Sequence, residues 1–273
     1  MALFGFFNFN KEGPGIEKDA PKKRAFIVFF ETYFRNFWKF LPISIVYSLL
    51  ALPQLTSGLA NVGITHVARN TARDKHSFGF SDFFETIKKN WKQALPAGII
   101  NTIVYIVLLF DVYFFYIQDT KFSIVALAVT FAFLFIFTIM NYYIWTLIIT
   151  FGFNLKTVYK NSLKFVFLNI KNNLICFFSL TVVVAILVGL LFLFLSIIDK
   201  VFGFALLAVL LILALCYPGF KFLLIQYCVF PAIRKHIIDP YYEAHPDADI
   251  EKRRQLGVYD EEDETEEEED LND

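Results

Sequence analysis

Charge is scarce in this chain: 19% of its 273 residues are Asp, Glu, Lys or Arg, against 57% apolar residues. So little charge cannot cover a water-soluble surface, which argues against a soluble enzyme and against a wholly disordered protein. Cysteine is scarce too. Its three copies, Cys176, Cys216 and Cys228, sit in or beside apolar runs without close spacing, which argues against a disulfide scaffold and reads as packing thiols. The four histidines, His66, His76, His236 and His245, form no i, i+4 pair, so no metal site is expected. Gly-rich phosphate loops, nucleophile elbows and paired carboxylates are missing as well. No enzymatic activity, no cofactor and no nucleic-acid partner is expected.

What is present is apolar and aromatic, with 35 Phe and a mean hydropathy of +0.54. A membrane-spanning helix needs about 20 mostly apolar residues, because a rise of 1.5 Å per residue must cover roughly 30 Å of hydrocarbon. Four stretches meet that need: residues 93–117, interrupted only by Asp111, the uncharged run 122–155, then 172–198 and 201–220. As one helix the run 122–155 would be about 51 Å long and is expected to project from the bilayer. A fifth stretch, 40–68, is also uncharged. It is broken by Pro53 and dotted with Gln54, Thr56, Ser57, Asn61, Thr65 and His66 in its second half.

An internal repeat bears on whether that fifth stretch crosses once or twice. Phe29-Phe30-Glu31-Thr32, Asn36 and Leu41-Pro42 recur 54 residues later as Phe83-Phe84-Glu85-Thr86, Asn90 and Leu95-Pro96. A weaker third copy has Phe165 and Lys171-Asn172 ahead of another apolar run. If the copies share an orientation, two crossings lie between Asn36 and Asn90, one over residues 33–52, a turn at Pro53, and a return over 55–73. The expectation is an all-α, polytopic helical membrane protein of six transmembrane helices with cytoplasmic amphipathic segments. Five helices is the runner-up, and a re-entrant segment 53–68 is a hybrid of the two.

The basic residues orient this arrangement. In the six-helix reading 22 of the 25 Lys and Arg fall on one face, which sets both termini in the cytoplasm of a multi-pass protein of the inner or plasma membrane. No cleavable leader is expected. Residues 260–273 hold 11 acids and no base, leaving 15 acids against 25 bases in residues 1–259. Such a tail cannot pack and is expected to be disordered. The expected divisions are a cytoplasmic N-terminal segment (1–32), a membrane domain (33–232), a cytoplasmic juxtamembrane segment (233–259) and the acidic tail (260–273).

Polar residues inside apolar helices either pack helices together or line a polar path. The candidates are Thr56, Asn61, Thr65 and Asn141, with Asn101 and Gln226 as further ones. Asp111 and Lys221 are spaced so as to reach the two membrane boundaries, where the Lys221 stem can snorkel. Residues 78–93 set Phe83, Phe84 and Trp91 beside Lys88 and Lys89, the pattern of an interfacial helix on anionic lipid or of a docking surface.

The chain resembles the YesL-like family of bacterial integral membrane proteins. The resemblance rests on Leu3-Phe4 and Phe6-Phe7-Asn8, on Leu52-Pro53 with Thr56 and Gly58, and on Asp82-Phe83-Phe84 with Lys88, Asn90 and Gln93-Ala94. Phe151, Lys156 and Asn161-Ser162 complete it. It covers roughly residues 1–171, and the extension beyond Arg234 departs from it. The resemblance implies a multi-helix inner-membrane protein that accompanies carbohydrate uptake of the ABC type, hence an accessory or regulatory role. Its expected partners are the lipid bilayer and a sugar-transport complex or another membrane protein. A small-solute transporter or channel is the alternative, with a membrane-embedded lipid or envelope enzyme behind it.

Overall fold

Long apolar runs with few breakers fold as helices, and every regular element among the described residues is helical. The computed structural model of the chain describes residues 25–75, 77–118, 120–196 and 200–245. Residues 1–24 of the expected N-terminal segment, His76, the juxtamembrane residues 246–259 and the acidic tail 260–273 lie outside the described residues. The elements are α1 (Ala25–Arg35), α2 (Phe37–Ala51), α3 (Ser57–Ala72), α4 (Phe80–Gln118), α5 (Lys121–Thr150), α6 (Leu155–Leu168), α7 (Ile170–Ser196) and α8 (Lys200–Ile233). A π-helical turn (Arg234–Ile238) and α9 (Asp239–Ala244) follow.

Four helical regions, in α4, α5, α7 and α8, are long and apolar enough to cross a membrane. At 15 and 16 residues, α2 and α3 are about 23 and 24 Å long, short of a bilayer's hydrocarbon depth. They pair antiparallel: the Tyr47 hydroxyl donates to Asn61 Oδ1 at 3.0 Å, and Lys39 Nζ donates to Thr71 Oγ1 at 3.0 Å. The turn between them holds Pro53, with Gln54 at φ 44°. Beside it, Thr102 of α4 donates to the Gln54 carbonyl at 3.5 Å. α4 continues for 16 residues past Thr102, so the hairpin stops about 24 Å short of that helix's far end.

Two boundaries differ from expectation. The run 122–155 does not project as one helix. α5 stops at Thr150, Phe151 is extended, and Asn154 caps α6 by accepting from the Thr157 N–H at 2.9 Å. The cap competes with helix continuation, which hydropathy cannot register. The amphipathic stretch 78–93 is the first part of α4 itself, continuous through Pro96. α8 runs on through Pro218 and Pro231 to Ile233, past the uncharged run 201–220 and close to the expected limit of the membrane domain at 232.

The repeat is structural as well as sequential. Phe29, Phe83 and Phe165 are all buried, and the Asn36 and Asn90 amides each donate to the carbonyl four residues back at 2.9 Å. Asn36 nevertheless separates α1 from α2, whereas α4 passes unbroken through Asn90. The equivalence extends to close approach. A Cβ on Gly58 of α3 would run into the Ala94 carbonyl and lie 2.9 Å from the Gly98 Cα on α4. A Cβ on Gly219 of α8 would lie 2.9 Å from Phe40 Cβ and 3.0 Å from Ser44 Oγ on α2, the positions 54 residues before Ala94 and Gly98. Small residues allow backbones to approach where lipid offers no hydrophobic drive between helices.

Candidate functional site

Beside the α2–α3 hairpin turn, the helices line an open cavity of about 710 Å³ with contributions from α2, α3, α4, α5, α7 and α8. Its polar wall includes Gln54, Asn61, Asn141 and Thr138, its aromatic wall Tyr47, Tyr105, Trp145 and Tyr217. Lys221 is the one charged side chain in the lining. α8 continues for 12 residues past Lys221, about 18 Å along the axis. Lys221 shares the cavity wall with Asn101 and Asn141, a role that its spacing from Lys200 did not reveal.

The four candidate polar residues separate. Asn141 lines the cavity, accepts from Asn101 Nδ2 at 2.7 Å and donates to the Phe137 carbonyl at 2.9 Å. Asn61 lines it too and is held by Tyr47. Thr56 turns away to bond the Leu50 carbonyl inside the hairpin turn. Thr65 is buried between helices, its hydroxyl without a hydrogen-bond partner. Gln226 is buried as well and donates to Thr146 Oγ1 at 3.0 Å.

Supporting groups fix the wall from outside. Tyr159 of α6 donates to Asn101 Oδ1 at 2.7 Å, so the pair Asn101–Asn141 is held from a third helix. Burial pushes the Tyr159 phenol up, which keeps it a donor. Below the cavity, Tyr143 donates to Asn173 Oδ1 at 2.6 Å and accepts from Asn169 Nδ2 at 2.9 Å, joining α5 to the α6–α7 elbow. Asn169 Nδ2 also donates to the Cys228 carbonyl at 3.0 Å. Cys176 and Cys228, far apart in sequence, are neighbours in this region and remain free thiols.

Residues 43–112 match the family model described as "Protein of unknown function, DUF624". No curated protein and no solved structure matches the chain. The DUF624 segment takes in most of α2, all of α3 and α4 as far as Val112, and so supplies one wall of the cavity and the Gly58–Gly98 crossing. Asn141 and Lys221 lie outside it.

In the interfacial candidate the residues face opposite ways. Phe83 is buried in the core, while Phe84 (49% exposed), Lys88, Lys89 and Trp91 (51% exposed) point outward. The structure thus makes Phe83 a packing residue, and the outward face keeps its aromatic and cationic character. Sequence reading missed Tyr47, Tyr105, Trp145 and Tyr217, because an aromatic in an apolar run carries no periodic signal that separates a cavity wall from a lipid-facing or core position.

Proposed function

We propose that this chain is a YesL-like protein of the bacterial inner or plasma membrane that binds a small carbohydrate in the cavity between its helices, as an accessory or regulatory component of ABC-type carbohydrate uptake. The cavity carries this reading. A volume of about 710 Å³ is of small-ligand size. Its flat aromatic faces next to amide and hydroxyl groups are what a sugar ring, apolar on its faces and hydroxylated at its rim, requires. The DUF624 match supports the family reading over residues 43–112. The outward Phe84, Lys88, Lys89 and Trp91 supply a face for headgroups or a partner subunit.

In this reading six helices enter the membrane and both termini are cytoplasmic, supported by the 22 bases on one face. α2 and α3 form a half-depth pair, and the non-helical turn around Gln54 is tolerated at that depth because it lines a cavity. That same feature favours a second reading, a solute conduit in its own right, since interrupted segments beside a polar site are how many transporters build a path.

Trp145 reports on the site. Full-length protein in nanodiscs, titrated with mono- and disaccharides, is expected to show a saturable fluorescence change that Trp145→Phe abolishes and Trp38→Phe retains. No saturable change with any sugar sinks the binding proposal. Sugar uptake into proteoliposomes by the purified chain replaces the accessory role with the conduit.

A further inference from the structure

Buried guanidinium N–H groups nearly always find acceptors. At the end of α3 they do not: Arg69 Nε and both terminal nitrogens of Arg73 are buried without a hydrogen-bond partner, as is the Ser77 hydroxyl in the loop that follows. The arginines are held by other contacts. Arg69 donates through Nη1 to Thr150 Oγ1 at 2.7 Å, and the Arg73 guanidinium lies 4.8 Å from the centroid of the Phe230 ring. The unpartnered donors therefore collect where the C-terminal ends of α3, α5 and α8 meet.

The place is strongly positive. Burial, together with the charges of Arg73 and Arg69, pushes the Lys75 ammonium down to about 8, and Arg234 acts on Arg73 in the same sense. The nearby acids are engaged elsewhere, Asp74 with Arg35 and Asp239 with Arg234 at 3.2 Å. Among the described residues no carboxylate lies within ion-pair distance of Arg69 or Arg73. The C-termini of α3 and α5 offset part of the charge, yet none of their carbonyls accepts from the free nitrogens. Such a fork of donors matches the paired oxygens of an oxyanion.

We infer that Arg73, with Arg69 and Ser77, forms a binding site for a phosphate group, supplied by an anionic phospholipid headgroup or by free phosphate. Arg73 presents the paired donors, Arg69 is pinned to α5 beside it, and Ser77 adds a hydroxyl. The site is separate from the cavity and stands whether or not the cavity binds sugar.

The full chain in phosphatidylcholine nanodiscs tests it. Millimolar inorganic phosphate, or phosphatidylglycerol added to the disc, is expected to raise the unfolding temperature by several degrees over chloride at matched ionic strength. A response to phosphatidylglycerol alone assigns the phosphate to lipid, and a response to both assigns it to any phosphate. Arg73→Gln is expected to weaken the response at least tenfold and, without anion, to unfold at a higher temperature than the parent. Arg73→Lys, which keeps the charge but loses the fork, is expected to weaken it severalfold and carries the test if the Gln variant does not fold. Lys121→Gln, at an exposed base assigned to neither site, is expected to change nothing. Absence of response to both probes, or an undiminished response in Arg73→Gln, overturns the site. A response that emerges only once the 11 acids of residues 260–273 are neutralised assigns the site to the chain's own tail and overturns the phosphate reading.

Discussion

The long helices divide into two halves that are both rich in apolar residues and differ in packing. In α5 the buried apolar residues gather at Phe137, Ile139 and 142–148, while Phe122, Ile124, Val125, Val129, Phe131 and Phe133 are exposed and only the small polar Ser123 and Thr130 are buried among them. α4 is buried at Phe83, Thr86, Ala94, Ala97, Gly98 and Asn101, then exposed at Ile103, Ile106, Val107, Leu109 and Phe110. α7 repeats the pattern, with Asn173, Cys176 and Leu180 buried and Val182, Ile186 and Phe192 exposed. Apolar character cannot cause the difference, since it is as great in the loose half. What the packed half has is the short α2–α3 hairpin, glycines that let backbones meet, and buried amides that bond across helices. In lipid, where tails are as apolar as Leu, those are the features that hold helices together.

The contrast is breakable. Gly58→Leu drives a side chain into the α4 backbone at Ala94 and Gly98. It is expected to cost about 3 kcal/mol or more, read as loss of monodisperse protein or a large fall in unfolding temperature. Gly189→Leu, in the loose half, meets nothing within 4 Å and is expected to leave both unchanged. Equal damage from the two would erase the distinction.

Removing a polar tie is milder. Tyr143→Phe deletes the link to Asn173 and Asn169 and is expected to cost about 1–2 kcal/mol in reversible unfolding. Lys221→Met removes a charge that has no ionic partner among the described residues. It is expected to raise the unfolding temperature modestly while weakening sugar-dependent quenching of Trp145, a trade between stability and site function.

The smallest effect lies at the packed half's outer edge. Lys75 titrates near about 8 in the folded protein against an ordinary 10.5. Below that folded value the native state carries the full cost of charging it. Between about pH 8 and 10.5 the native state has released the proton and the unfolded chain has not, so stability rises with pH across that window. Thermal unfolding at several pH values should show the rise, and Lys75→Gln should flatten it.

Much of the framework was readable. The repeat predicted two segments turning back at Pro53, which the structure shows as a hairpin of helices shorter than the expected crossings, and it predicted equivalent positions at Phe29 and Phe83, which are buried, and at Asn36 and Asn90, which are bonded alike. The break at residues 151–154 was not readable from hydropathy, because Phe151 and Phe153 are as apolar as a span and only the Asn154 cap stops the helix. Of the candidate site, Asn61 and Asn141 were found through their polarity. The aromatic wall and Lys221 were not, since their role depends on which face of each helix meets which neighbour.

By itself the sequence determined that the chain is helical and that four of its stretches can cross a bilayer, because these follow from local composition and length. Only the tertiary structure decided that the hairpin stops well short of the far end of α4, that Lys221 faces a cavity, and that Arg69 Nε and the Arg73 terminal nitrogens are left without acceptors. Those outcomes depend on contacts between residues tens to hundreds of positions apart, set by where backbones can touch and where buried donors find, or fail to find, a partner.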